Sequence, residues 1–238
     1  MAKPANSTPE PAAPKLVPEI RAIRKRIEKL LNTVGEDGMR IGDAQYGVYA
    51  FFDYYGEPIY VGQTREKVRT RVRRHLTNQR TDAVAMRVLD PLEVAEVKLW
   101  PLDLSGKSTR EMNEFLARAE RTVYDRVLRA SELKAILNEK KIPERRPIKL
   151  PKSYRARIVP GDLYDKQKHP DTRIARRAAW IADLARIITE RDVSSGLRRT
   201  LFLQAKRLLW LAEKRLRELG KVPEEEPGEE TGETSPTE

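Results

Sequence analysis

Two tyrosines, Tyr49 and Tyr60, stand eleven positions apart in YGVYAFFDYYGEPIYVGQT, residues 46–64. Each belongs to a triplet with a β-branched residue and a glycine, Gly47-Val48-Tyr49 and Tyr60-Val61-Gly62, in opposite order. Arg71 and His75 follow, one helical turn apart and so on one helix face. Glu120 lies in RAERTVYDRV, on a stripe shared with Leu116, Ala119, Val123 and Val127. Two phenols, a guanidinium, an imidazole and a carboxylate suit hydrolysis of a phosphodiester. The attack needs a deprotonated water, a positive clamp on the charge developing at phosphorus, and help for the leaving oxygen. Arginine matches phosphate with a fixed fork. A carboxylate can hold one hard cation, Mg2+ or Mn2+. Histidine accepts a proton near neutrality. Tyrosine, ordinarily at about 10, becomes a usable base where an arginine and a cation favour the phenolate.

Those groups meet only if the surrounding elements bring them together. GVYAFF and IYVGQT read as strands and DYYGEP as the turn between them, so Tyr49 and Tyr60 face each other across an antiparallel hairpin. Gly47 and Gly62 leave room where backbone, substrate or a neighbouring strand comes close. REKVRTRVRRHLTNQ reads as a helix burying Val68, Val72 and Leu76. VAEVKLWPL reads as a third strand, and STREMNEFLARAERTVYDRVLRA as a second helix with Ser108 or Thr109 as its cap. A carboxylate on that helix's apolar stripe needs a partner, which favours Glu120 over its neighbours Glu111 and Glu114. SELKAILNEK reads as a short helix or turn. The predicted class is therefore α+β, a core at 45–145 with a three-stranded antiparallel sheet flanked by helices. An N-terminal helix at 17–34 precedes it. A proline- and arginine-rich linker at 146–170 leads to a C-terminal helical hairpin at 171–220. In the hairpin, Ile174, Ala178, Ile181, Leu184 and Ile188 mark one apolar stripe, and Leu201, Ala205, Leu208, Leu211 and Leu219 the other. Residues 1–16 and the acidic 221–238 read as disordered.

The ordered set resembles the GIY-YIG nuclease family over roughly residues 45–140, with valine in place of isoleucine in both triplets. The resemblance implies a metal-dependent endonuclease that cleaves DNA with one divalent cation, Mg2+ or Mn2+, and no covalent intermediate. It implies that Glu120 is the metal ligand and that Arg71 holds the phosphate. Tyr49 then activates or positions the water, Tyr60 assists, and His75 supports proton movement. Asn138, in ILNEKKIP, is the nearest match to an asparagine that many members carry beyond the glutamate helix. A non-catalytic nucleic-acid-binding protein on a nuclease-like core is the alternative reading.

Charge agrees with a polyanionic partner. The chain carries +11 overall, but seven glutamates and one lysine in 221–238 leave the remaining residues at +17. Arg173, Arg176, Arg177, Arg198, Arg199 and Lys206 are candidate contacts to the DNA backbone, or else solvated helix faces. Trp180 and Trp210 read as packing residues of the hairpin, with base stacking as the other role. The hairpin either holds DNA or mediates self-association as a homo-oligomer. Cysteine is absent and only His75 and His169 are present, which excludes disulfides and metal sites built from several thiolates or imidazoles. No apolar run approaches ~20 residues, so no membrane span is expected. The N-terminus lacks a secretory core segment, and a cytoplasmic location is the expectation.

Overall fold

Alternation along the first strand sets the layers. In a computed structural model, which describes residues 18–77, 88–190 and 193–220, strand β1 (Tyr46–Phe52) is buried on both faces. Tyr49 and Phe51 point into one apolar cluster, and Val48, Ala50 and Phe52 into another. Helices α1 (Pro18–Leu31) and α2 (Val68–Thr77) cover the first face. Ile23, Ile27, Leu30 and Leu31 of α1 meet Val68, Val72 and Leu76 of α2 there. Helix α3 (Thr109–Ala130) covers the second face with Leu116, Ala119, Val123 and Val127. Its start is fixed by a reciprocal capping box between Ser108 and Glu111.

The sheet has four strands, not the three expected. Strands β2 (Pro58–Thr64), β1, β3 (Glu96–Leu102) and β4 (Tyr154–Arg157) lie in that order, all antiparallel. The fourth strand comes from the stretch read as linker. YRAR is four residues long, alternates partly buried with exposed positions, and pairs only along the outer edge of β3. It therefore lacks the apolar run that marks the other strands. The same stretch also holds helix α4 (Gly161–Lys168). Residues 131–142 form no helix; Lys134 takes a positive φ of 53° and Leu137 N–H bonds to Ile59 O at 2.7 Å.

Helices α5 (Pro170–Glu190) and α6 (Ser195–Glu218) make the expected C-terminal hairpin. Its inner face differs from the apolar stripes read in the sequence. Arg173, Arg177, Thr200, Gln204 and Arg207 are buried beside Leu184, Leu197 and Leu211, whereas Ala178, Ala205 and Leu219 are exposed. The arginines turn inward because the core offers carboxylates. Asp53, in the β1–β2 turn, accepts from Arg173 and Arg207 at 2.9 Å each. Glu93 accepts from Arg173 at 3.1 Å, from Arg177 at 2.6 Å, and from Arg176. Arg173, Arg176 and Arg177 are thus spent on the core, which corrects their assignment to a DNA surface. Arg198, Arg199 and Lys206 stay exposed. The segments read as disordered, 1–16 and 221–238, lie outside the described residues. No helix among the described residues is long and apolar enough to cross a membrane.

Candidate active site

β2 is an edge strand, and the predicted site residues gather around it. Tyr49 pairs with Gly62, and Phe51 with Tyr60, so both site tyrosines lie on the α1–α2 side of the sheet. Their rings stack with centroids 6.2 Å apart. Gly62 is what lets them sit this way. A Cβ there would fall 2.5 Å from the Tyr49 hydroxyl and 2.9 Å from the Tyr60 ring. At Gly47 a Cβ would fall 2.7 Å from Val68 and 3.1 Å from the Trp100 carbonyl. The two glycines of the mirrored triplets thus make space for different things. One admits a phenol, the other a helix and the next strand.

Helix α2 presents Arg71 and His75 to this pair. Arg71 Nε donates to the Tyr49 hydroxyl at 3.2 Å. That hydroxyl also meets His75 Nε2 at 3.0 Å. The Tyr60 and His75 rings lie 5.6 Å apart. Neighbouring arginines are engaged elsewhere: Arg69 and Arg73 pair with Glu28 of α1, and Arg74 with Glu66. Those pairs fix the rotation of α2 and leave Arg71 to the site. The three carboxylates of α3 separate equally clearly. Glu111 is spent on the helix cap, and Glu114 is exposed with Arg145 at 3.9 Å. Glu120 is part-buried and close enough to Arg71, Tyr49, Tyr60 and the Gln63 backbone N–H to interact with each electrostatically.

Burial dominates the electrostatics. It raises the Glu120 carboxyl to about 7, against the opposing pull of Arg71 and the Gln63 N–H. It lowers His75 to about 4, helped by Arg71 and Arg74, so the imidazole is neutral at physiological pH. It also raises both phenols above their ordinary value, more than Arg71 lowers them. The sign is opposite to the depressed phenols anticipated above, because the tyrosines are enclosed and not merely near a cation. Tyr49 is fully buried and Tyr60 only partly. The phenol nearer to solvent is therefore the second one.

Asn138 takes a different place from the other five. Its Oδ1 accepts from Val61 N–H at 3.1 Å and its Nδ2 donates to Val61 O at 2.7 Å. Both ends of the amide are used on one peptide of β2, so Asn138 clamps the edge strand. One group that the sequence did not single out joins the site. Gln63 meets Glu120 through its backbone, and its side-chain Oε1 is buried without a partner. Nothing marks it in the sequence, since a glutamine in a strand is ordinary.

The donors around Glu120 fit one hard, largely hydrated cation. The carboxylate is taken out of water with its charge only partly offset, and a second oxygen, Gln63 Oε1, lacks a hydrogen bond on the adjoining strand. No group of three or more His, Asp or Glu that could hold a metal occurs among the described residues. A closed protein cage is therefore not formed there. Mg2+ commonly binds through one or two carboxylates while keeping several waters and taking phosphate oxygens. Asn113, Ala117 and Glu120 lie on successive turns of one face of α3, and the first two line a cleft of about 780 Å³ with Arg65, Arg110 and Arg145.

No protein-family model matches the chain, no curated protein matches it, and no solved structure matches it.

Proposed function

We propose that this protein is a GIY-YIG-type endonuclease that hydrolyses phosphodiester bonds in DNA with one divalent cation, Mg2+ or Mn2+. The observation that carries the reading is the convergence of five side chains on one sheet edge. They come from β1, β2, α2 and α3 and span residues 49–120, yet Tyr49, Tyr60, Arg71, His75 and Glu120 form one hydrogen-bonded and electrostatic cluster. Packing alone does not call for a neutral histidine, a phenol and a guanidinium in contact beside a desolvated carboxylate.

Each residue has work in that reaction. Arg71 commits Nε to Tyr49, and its terminal nitrogens can fork onto a phosphate oxygen, where their attraction grows with the charge of the transition state. Tyr60, the more accessible phenol, orients the attacking water. The Tyr60 and Tyr49 rings stack with centroids 6.2 Å apart, and Tyr49 is hydrogen-bonded to His75. A proton leaving the water can be taken up by the phenol pair as Tyr49 passes its own proton to His75 Nε2. Neutral imidazole is the form able to accept it. Glu120 would hold the cation, whose charge stabilises the leaving oxygen. The cleft along α3 supplies arginines for the flanking phosphates.

Plasmid cleavage with Mg2+ tests this. Glu120→Gln keeps the shape and removes the charge, so cleavage should fall by about 10³-fold or more while the melting curve stays cooperative. Cleavage by Glu120→Gln at the wild-type rate removes Glu120 from the reaction. DNA binding without cleavage by the wild-type protein supports the non-catalytic alternative.

A further inference from the structure

Helix α6 carries an apolar stripe that the other described residues leave exposed. Phe202, Leu209, Leu216 and Leu219 are 66%, 59%, 37% and 53% exposed. With Ala205 (exposed) and Ala212 (part-buried) they recur at alternating spacings of three and four, the seam of a two-stranded coiled coil. The stripe runs for five turns, about 26 Å, along a helix whose opposite face binds the core through Arg207 and Leu211. Six apolar positions in register differ from the singly scattered apolar residues of an ordinary surface.

We propose that this stripe joins two copies of the protein, α6 against α6, antiparallel about a two-fold axis. The inference does not depend on the nuclease reading. Antiparallel pairing sets Leu209 against Ala212 of the second copy, Ala205 against Leu216, and Phe202 against Leu219. Every layer joins large to large or large to small, and none joins two alanines. Parallel pairing instead stacks Ala205 on Ala205 and Ala212 on Ala212, leaving two layers unfilled.

Charge selects the same arrangement. Lys206 and Glu213 lie on one flank of the seam, seven residues apart. In the antiparallel register Lys206 faces Glu213 of the second copy, and symmetry makes the pair twice. Among the described residues Glu213 makes an exposed contact with Arg217 at 3.5 Å. The other flank carries the part-buried Leu201 and Leu208, which widen the apolar contact. In the sequence outside the described residues the large apolar residues are Met1, Leu16, Val17, Val84, Met86 and Val222, and no heptad runs through them. The seam lies near the lower end of stable interfaces, about 1,200 Å² in total, so association in the micromolar range is expected.

Sedimentation velocity on the full chain tests this across roughly 1–200 µM. The wild type should pass from monomer to dimer. Leu209→Glu should raise the dissociation constant about 100-fold or more by placing a charge in the seam, and the exposure of Leu209 means its melting curve should not change at concentrations where the wild type is monomeric. Lys206→Glu and Glu213→Lys should each weaken the dimer roughly tenfold. The double swap Lys206→Glu/Glu213→Lys should restore it, because each changed residue again meets an opposite charge. A wild type that stays monomeric throughout overturns the proposal. So does a dimer indifferent to Leu209→Glu, and a double swap as weak as the single changes overturns the antiparallel register.

Discussion

The Tyr49 hydroxyl sits 3.2 Å from a guanidinium nitrogen and 3.0 Å from an imidazole nitrogen, and Gly62 leaves the gap in which it does so. Gly62→Ala should therefore act on the site and not on β2 as such. The added methyl lies 2.5 Å from the hydroxyl. Tyr49 must move, at a cost of about 1–3 kcal/mol, and a displacement near 1 Å is enough for a roughly 100-fold loss of cleavage. Thermal melting and single-turnover cleavage measure the two effects. Normal activity would show that Tyr49's position is immaterial. His75 gives a pH signature. Its folded value of about 4 lies below the ordinary 6.5, so the unfolded chain takes the proton more readily. The stability it contributes is complete above about 6.5 and is lost as pH falls toward 4, to a total of about 3 kcal/mol. Urea midpoints of wild type and His75→Gln should diverge at neutral pH and converge toward pH 4. Parallel curves would deny the shift. The types of all five gathered residues were legible in the sequence, because their spacing matches two strands and two helices. The phenols' raised values were not, because burial depends on Phe51, the two ring faces and the covering α2, which spacing alone does not show.

An edge strand that carries a site must be kept from fraying and from pairing with other chains. Here residues 137 and 138 cover β2: Leu137 N–H bonds Ile59 O, and Asn138 closes both polar groups of Val61. Asn138→Asp is the sharp test, since it keeps size and one acceptor but turns a donor toward Val61 O into a carboxylate oxygen. It should cost about 2–4 kcal/mol and speed amide exchange at Val61 before it affects the core of β1. Unchanged exchange there would mean that the edge is held by other bonds. Elements with long apolar periods were readable from sequence: β1, β2, β3, α2 and α3 fall where their patterns place them. β4 was not, because a four-residue edge strand needs only the free edge of β3 to form. The inner faces of α5 and α6 were misread for a related reason. Periodicity locates apolar residues, but Asp53 and Glu93 draw arginines inward instead.

At the scale of the whole molecule, those arginines decide whether the C-terminal hairpin is a separate unit. Arg173, Arg177 and Arg207 are almost completely buried against Asp53 and Glu93, and Arg207 also donates to Pro58 O and Ala135 O at 2.9 and 2.7 Å. Asp53 is the centre of the arrangement. One oxygen caps the β1–β2 turn through Tyr55 N–H and Glu57 N–H, and the other takes both arginines. Asp53→Asn keeps the turn-capping oxygen and removes the charge, leaving two buried guanidinium groups short of a partner. A buried pair broken from one side costs about 3–5 kcal/mol, whereas an exposed pair such as Arg215–Asp171 is screened by solvent and contributes little. Arg215→Ala is thus the matched control. Because the cluster ties the hairpin to the turn between the two strands that hold Tyr49 and Tyr60, the wild type should unfold in one transition. Far-UV ellipticity, dominated by helices, and the fluorescence of Trp100 in the sheet and Trp210 in α6 should share a single urea midpoint. Asp53→Asn should lower that midpoint by the equivalent of about 3–5 kcal/mol, with Arg215→Ala near wild type. Two separated transitions in the wild type, or equal losses in the two variants, would show that the hairpin folds on its own and that the buried arginines do not unite it with the core.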